Sequence, residues 1–104
     1  MTFKDDIIQK INKDFGTEAE EVRRLLEKSI KNAKYLKTDR IIRCLLFLAN
    51  GNISSLNRYI ENAKFDPRDV MLWAEYEELE GEFNYKRLRD FNKTFPESSL
   101  NVTE

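Results

Sequence analysis

The side chains of this chain that could do chemistry are carboxylates, lysines, arginines and one thiol, because the sequence contains no histidine. Without an imidazole, Ser-His-Asp and Cys-His catalytic arrangements and histidine metal sites are excluded. Cys44 therefore has no histidine to activate it, and we interpret it as a small buried hydrophobic residue. A single cysteine cannot form an internal disulfide, which agrees with a reducing compartment.

Acidic residues are the remaining candidates for a metal site. Glu75, Glu78 and Glu82 share one helical face if the helix around them continues, and their oxygens suit Ca²⁺ or Mg²⁺. The chain has no calcium-loop spacing, however, and acidic helix faces of this type are usually solvated. We therefore predict no metal site, no cofactor and no catalytic residue, and thus a protein that is not an enzyme.

A second charged cluster consists of lysines. Lys31, Lys34 and Lys37 gather near the C-terminal end of a predicted helix and could bind phosphate. The helix dipole favours cations at that end, so we prefer to interpret them as a solvated basic face. Three scattered glycines form neither a phosphate loop nor a nucleotide fingerprint.

Arginine and aromatic residues are frequent anchors of protein interfaces. Two arginines are the only polar residues of the otherwise apolar segment 40–49. A tryptophan and a tyrosine belong to a later helix whose apolar residues point in several directions. The alternative is structural: Trp73 belongs to the core, and the arginines bridge to Asp66, Asp69 or Asp90. The predicted partner-binding residues are Arg40, Arg43, Trp73, Tyr76, Arg87 and Arg89.

Apolar residues at three- and four-residue steps predict the helices that position these side chains. A helix apolar on all sides must be enclosed by others, so segment 41–49 is the expected central element. N-caps are expected at Thr2, at Thr17 (in a capping box with Glu20), at Thr38 or Asp39, and at Asp66 before a proline. Gly81 is the expected end of the fifth helix. The predicted helices cover residues 3–14, 17–36, 39–50, 54–64 and 67–80.

Charge is segregated along the chain although the net charge is −1. Residues 61–82 carry eight acidic side chains against two basic ones, and residues 23–43 carry eight basic against two acidic ones. Acidic residues at the C-terminal end of the fifth helix oppose its dipole. We therefore expect this end to meet a basic surface of the same chain or of a second copy.

Two of the predicted helices, 39–50 and 54–64, also have the lengths of a helix-turn-helix. They are joined by Asn50-Gly51-Asn52, and the second helix offers polar residues that can reach bases and phosphates. One Arg and one Lys offset by Glu61, with a pI of about 5.6, are few cations for DNA. The DNA-contacting candidates are Ser55, Asn57, Arg58, Asn62 and Lys64.

These observations together predict an all-α fold: a compact five-helix bundle with a short C-terminal helix or aromatic arm and a disordered tail. Residues 1–95 form the single domain, and residues 96–104 form a flexible tail. The absence of a signal peptide and of a long apolar run favours a cytoplasmic protein without membrane contact. The expected function is a non-enzymatic protein–protein interaction or regulatory module, a homodimer included; helix-turn-helix DNA binding is the alternative.

Overall fold

Six helices and one β-hairpin make up the described residues, 3–79 and 84–100, of a computed structural model. The predicted all-α class with five main helices is confirmed; the hairpin was not predicted, and the last, short helix lies within residues 96–104, which were predicted as the tail. The helices are α1 (Asp5–Phe15), α2 (Ala19–Asn32), α3 (Asp39–Ala49), α4 (Ile53–Phe65), α5 (Pro67–Glu75) and α6 (Glu97–Leu100). The strands are β1 (Tyr76–Leu79) and β2 (Asn84–Arg87), which pair antiparallel.

Helix α3 lies at the centre of the bundle, in contact with α1, α4 and α5. Its apolar residues are buried on nearly every side, with only Phe47 and Leu48 partly exposed. Each fully buried aliphatic side chain contributes about 1.5 to 3 kcal/mol, so this helix supplies much of the driving force for folding. Its buried apolar residues are Ile41, Ile42, Cys44, Leu45, Leu46 and Ala49.

The helix starts follow the sequence prediction at two of the four expected caps. The Thr38 hydroxyl accepts a hydrogen bond from the Ile41 amide, and the Asp66 carboxylate accepts one from the Arg68 amide. The capping box at Thr17 does not form, because α1 leads directly into a 3₁₀ turn over Gly16–Glu18. That turn keeps Thr17 out of the extended conformation that an N-cap needs. Thr2 lies outside the described residues.

Helix α2 ends four residues earlier than predicted. After Asn32 the backbone leaves the helical conformation at Ala33 (φ −138°, ψ 86°) and enters a 3₁₀ turn over Lys34–Leu36. This bend buries Leu36 in the core and leaves Tyr35 at the surface, where its hydroxyl donates to the Lys64 carbonyl oxygen. The apolar spacing was right about which residues are buried, but wrong about a continuous helix.

The turn between α3 and α4 requires its glycine. Asn50 has a left-handed conformation (φ 48°) and Gly51 follows at φ 80°. A side chain at Gly51 would also place its Cβ 2.8 Å from the backbone oxygen of Asp14, at the end of α1. Backbone conformation and close packing therefore both demand glycine at this position.

Helix α5 ends at Glu75, not near Gly81, and this corrects the predicted fifth helix. The chain continues as β1, with Tyr76 opposite Arg87 and Glu77 opposite Lys86. A helix end leaves carbonyl groups without partners, and here residues after β2 supply the donors. The carbonyl oxygen of Glu75 accepts from the amides of Leu88 (2.7 Å) and Arg89 (3.2 Å). Gly81 itself lies outside the described residues.

The segment from residue 84 to residue 95, called the arm below, packs on the helical body as the sequence predicted. Phe91 and Phe95 are buried, with ring centroids 5.6 Å apart, and Phe91 lies 5.3 Å from Phe47 of α3. The flexible tail was predicted to cover residues 96–104, but residues 97–100 form the helical turn α6, which contacts α1. Residues 101–104 lie outside the described residues.

Candidate functional site

A buried carboxylate joins α5, α3 and the arm. Glu75 is fully buried, and its Oε2 accepts hydrogen bonds from Nε of Arg40 (3.1 Å) and from the Phe91 amide (2.9 Å). Its Oε1 is bound by the Nη2 atom of Arg40 and lies 3.5 Å from that of Arg87. Burial by itself raises the pKa of Glu75, but the hydrogen bonds from Arg40 and Phe91 outweigh it and lower that pKa. The carboxylate is therefore ionised and fully engaged within the chain.

A second buried ion pair holds the other end of the arm. Arg43 donates to both oxygens of Asp6, at 2.9 and 3.1 Å, and to the Phe91 carbonyl oxygen at 3.1 Å. The same Asp6 carboxylate accepts from the Phe95 amide at 3.0 Å. Burial raises the pKa of Asp6, yet the bonds from Arg43 and Phe95 lower it further than burial raises it. This pair links α1, α3 and the arm.

The predicted arginines thus bond within the chain. Arg40 and Arg43 bind Glu75 and Asp6, not the Asp66 or Asp69 considered from the sequence. Arg87 does reach a predicted partner, Asp90, at 2.9 Å, and its guanidinium lies 6.0 Å from the Tyr76 ring. The Nε of Arg89 donates to the Ala74 carbonyl oxygen at 2.7 Å and so caps α5. The structure brings Arg40, Tyr76 and Arg87 together around Glu75 and places Arg43 at a separate site.

These contacts pair part of the acidic segment with part of the basic segment of the chain. Glu75, from the acidic segment, pairs with Arg40 of the basic segment and with Arg87 of the arm, all in one chain. This is the same-chain version of the predicted contact between the acidic end of α5 and a basic surface. The two-copy version stays a prediction.

An exposed set of aromatic residues lies on α4 and α5. Trp73 is 46% exposed and meets the Tyr59 ring edge-on, with centroids 6.2 Å apart. The Arg58 guanidinium lies 5.0 Å from the Tyr59 ring, within cation–π distance. Phe65 is 95% exposed, and it follows Arg58 by seven residues, which places both on one side of α4. We call Arg58, Tyr59, Phe65 and Trp73 the aromatic face.

Sequence reasoning proposed Trp73 as a partner-binding residue and Arg58 only as a DNA contact, and it missed Tyr59 and Phe65. The signal was present for Phe65: the buried residues of α4 are Leu56, Ile60 and Ala63, and Phe65 lies off that stripe. A large apolar residue outside the apolar stripe of its helix is expected to reach solvent.

Three lysines and Cys44 are the next residues that were considered from the sequence. Lys31, Lys34 and Lys37 line an open surface cleft of about 430 Å³ together with Glu27 and Ile30. Burial raises the pKa of the Cys44 thiol to about 12, so this sulfur is protonated at neutral pH. Within residues 3–79 and 84–100, no three acidic or cysteine side chains are grouped as a metal would require. Among the same residues, no helix has both the length and the apolar character of a membrane span.

The candidate helix-turn-helix is formed by α3 and α4, but several of its polar residues are engaged locally. The Asn57 amide donates to the Ile53 carbonyl oxygen, and Lys64 pairs with Glu61 at 3.3 Å. Arg58 lies over Tyr59, as described above.

The chain matches no protein-family model, no curated protein and no solved structure. Function is therefore inferred from the residues and contacts described above.

Proposed function

We propose that this chain is a non-enzymatic protein-interaction module that contacts a partner protein through its aromatic face. The observation that carries the proposal is the exposure of two large apolar side chains on neighbouring helices, Phe65 (95%) and Trp73 (46%), of which Trp73 contacts the half-buried Tyr59. Burying one such side chain at an interface contributes about 1.5 to 3 kcal/mol. Contiguous exposed apolar residues with a polar rim are typical of interaction sites.

The composition of the aromatic face supports the proposal. Trp, Tyr and Arg are the residues most enriched among interface hot spots, and here the Tyr59 ring contacts both Trp73 and Arg58. They project from helices, and the ring contacts restrict their rotamers before a partner arrives. Such preorganisation reduces the entropy lost on association.

The state of the ionisable groups supports a non-enzymatic role. Among the described residues, the buried carboxylates are Asp6 and Glu75, and both are bound by arginines and backbone amides. The Cys44 thiol is fully buried and protonated at neutral pH. A general base or nucleophile must be accessible to the substrate and have a pKa near the working pH. These three side chains are buried, and they are either bound by arginines or, for Cys44, protonated.

A protein partner is favoured over DNA by the character of α4. Lys64 is paired with Glu61, and the outward residue at the end of the helix is the apolar Phe65. Phosphate contacts dominate DNA affinity and need several available cations on one surface. The aromatic face offers a single guanidinium, that of Arg58.

The proposal is tested with the double variant Phe65→Ser/Trp73→Ser. Each tagged variant is used to capture proteins from an extract of the native cells, and the captured proteins are quantified by mass spectrometry. A partner bound by the wild type is expected to fall by tenfold or more, because two anchors each supply more than about 1.4 kcal/mol. Circular dichroism melting checks that the variant is folded.

Leu88→Ser is the matched control, since Leu88 has an exposed fraction (44%) close to that of Trp73 but lies on the arm. It is expected to retain the partner. Equal capture by the wild type and the double variant would contradict the proposal. Light scattering of the wild type at increasing concentration shows whether the partner is a second copy of the chain. If it is, the double variant is expected to abolish this self-association.

A further inference from the structure

A small cavity lies between the arm, α1 and α3, away from the aromatic face. Its volume is about 230 Å³, and none of its lining residues belongs to the aromatic face. Apolar walls are provided by aromatic rings and a proline, and polar groups stand at the rim. The lining residues are Lys10, Phe47, Arg89, Asp90, Phe91, Thr94, Phe95, Pro96 and Ser99.

The volume selects a ligand with one ring. An apolar cavity of about 150 Å³ accepts benzene, whereas drug-sized ligands usually occupy about 300 to 1,000 Å³. The cavity therefore has room for a benzene ring and a few further atoms. Phe47, Phe91 and Phe95 form successive ring contacts at 5.3 and 5.6 Å, so an aromatic ligand would join an existing cluster.

Two cations of the lining indicate the charge of the ligand. The Arg89 guanidinium lies 4.4 Å from the Phe47 ring, and only its Nε donates to an oxygen of the described residues, that of Ala74. Within residues 3–79 and 84–100, its terminal nitrogens have no recorded acceptor. The Nζ of Lys10 lies 5.4 Å from the Phe95 ring and 3.3 Å from Asp14. Planar guanidinium groups bind carboxylates in a bidentate manner.

One acidic residue also lines the cavity, and its charge is already compensated. The Oδ1 of Asp90 accepts from Arg87 at 2.9 Å and from the Asn92 amide at 3.0 Å. Lys10 is shared with Asp14, so the cavity has the capacity for about one additional negative charge. A doubly charged phosphate would lose more hydration than these two cations replace.

We propose that this cavity binds a small aromatic monocarboxylate, with the ring among Phe47, Phe91 and Phe95 and the carboxylate between Arg89 and Lys10. The ligand bridges the arm and the helical body, and its binding is therefore expected to stabilise the docked arm. This site is independent of the proposed protein interface, because binding here needs neither Phe65 nor Trp73.

Phenylacetate is the probe for a titration of the full chain by ¹H–¹⁵N NMR, with neutral benzyl alcohol as the comparison. Shifts are expected at the amides of Phe91, Phe95 and Ser99, with a Kd at or below about 1 mM for a ligand of this size. Lys10→Met is expected to weaken phenylacetate roughly tenfold, the usual effect of losing one charge-assisted hydrogen bond. Lys28→Met, on an exposed position of α2, is the matched control and is expected to bind like the wild type.

Thr94→Trp provides a second variant that leaves the Lys10–Asp14 pair intact, since Thr94 is an exposed residue of the lining. Its larger ring is expected to fill the cavity and abolish binding, and circular dichroism checks its fold. The inference is overturned if phenylacetate shifts none of these amides in the wild type, if benzyl alcohol binds as tightly as phenylacetate, or if folded Thr94→Trp binds like the wild type. Loss of protein capture by the aromatic-face variant would leave each of these outcomes unchanged.

Discussion

Asp6 and Glu75 attach the arm to the helical body by the same chemistry, but water reaches the two sites to different extents. Each carboxylate is bound by an arginine of α3 and by an amide of the arm. The Asp6–Arg43 pair is enclosed, with side-chain exposures of 7% and 5%. The arginines on Glu75 open to solvent, with 31% of the Arg40 side chain and 39% of the Arg87 side chain exposed.

The number of arginines at each carboxylate indicates which attachment the fold can lose. Glu75 has two arginines, so removal of one leaves a charge partner in place. Asp6 has a single arginine among the described residues, and Arg43 also satisfies the Phe91 carbonyl oxygen. An enclosed pair with no second cation is costly to break, because the remaining charge stays buried. Removing the arginine at Asp6 is therefore expected to cost more stability than removing one of the two arginines at Glu75.

The largest effect is expected from Arg43→Ala, which leaves the Asp6 carboxylate buried without a cation. The free energy of unfolding should fall by about 3 to 5 kcal/mol, as for other broken buried pairs. Equilibrium unfolding in urea measures it. Arg24→Ala is the control, since it removes only an exposed pair with Glu20 and should cost less than about 1 kcal/mol.

Replacing both members of the buried pair sharpens the same prediction. In Asp6→Leu/Arg43→Met no charge is left buried, so part of the lost stability should return. The recovery is incomplete because the Phe95 amide and the Phe91 carbonyl oxygen lose their partners. Full stability in Arg43→Ala would remove the distinction between the two sites.

A smaller effect is expected from Arg40→Ala. Glu75 keeps the Phe91 amide and the Arg87 guanidinium, and water can enter where the partly exposed Arg40 side chain was. The expected loss is about 1 to 3 kcal/mol, measured by the same urea unfolding. Removing Arg87 as well should bring the loss closer to that of Arg43→Ala. If Arg40→Ala alone costs as much as Arg43→Ala, solvent access is not what separates the sites.

These attachments also show why part of the architecture was predictable and part was not. Helical periodicity located the buried stripes, and local caps such as Thr38 and Asp66 need only neighbouring residues. The end of α5 depends on donors that lie 13 and 14 residues further along the chain, the amides of Leu88 and Arg89. Sequence periodicity carries no information about such distant partners. For the same reason, the arginines were identified as candidate sites, whereas Asp6 was not, and Glu75 was considered only as a metal ligand.

The smallest expected effect is the dependence of the free energy of unfolding on acid pH, to which both carboxylates contribute. The pKa of each carboxylate is lowered in the folded chain, from ordinary values of 3.8 for Asp6 and 4.5 for Glu75. A lowered carboxylate pKa contributes stability that is complete above the unfolded-state pKa and is lost as pH falls through the folded-state pKa. The contribution of these two carboxylates to the free energy of unfolding should therefore stay nearly constant between about pH 7 and pH 5. It should decrease as the pH is lowered below about 4.5.

Asp6→Asn and Glu75→Gln each remove one proton-binding group from this acid transition. In either variant, the slope of unfolding free energy against pH below about pH 4.5 should decrease by up to about 1.4 kcal/mol per pH unit. Urea unfolding at half-unit pH steps measures the slopes, and Glu21→Gln, which removes an exposed carboxylate of α2, is the control. An acid profile of Asp6→Asn that superimposes on that of the wild type would contradict the role given to the enclosed pair. Because Glu75 retains solvent-exposed partners, Glu75→Gln should lower stability at pH 7 less than Asp6→Asn does.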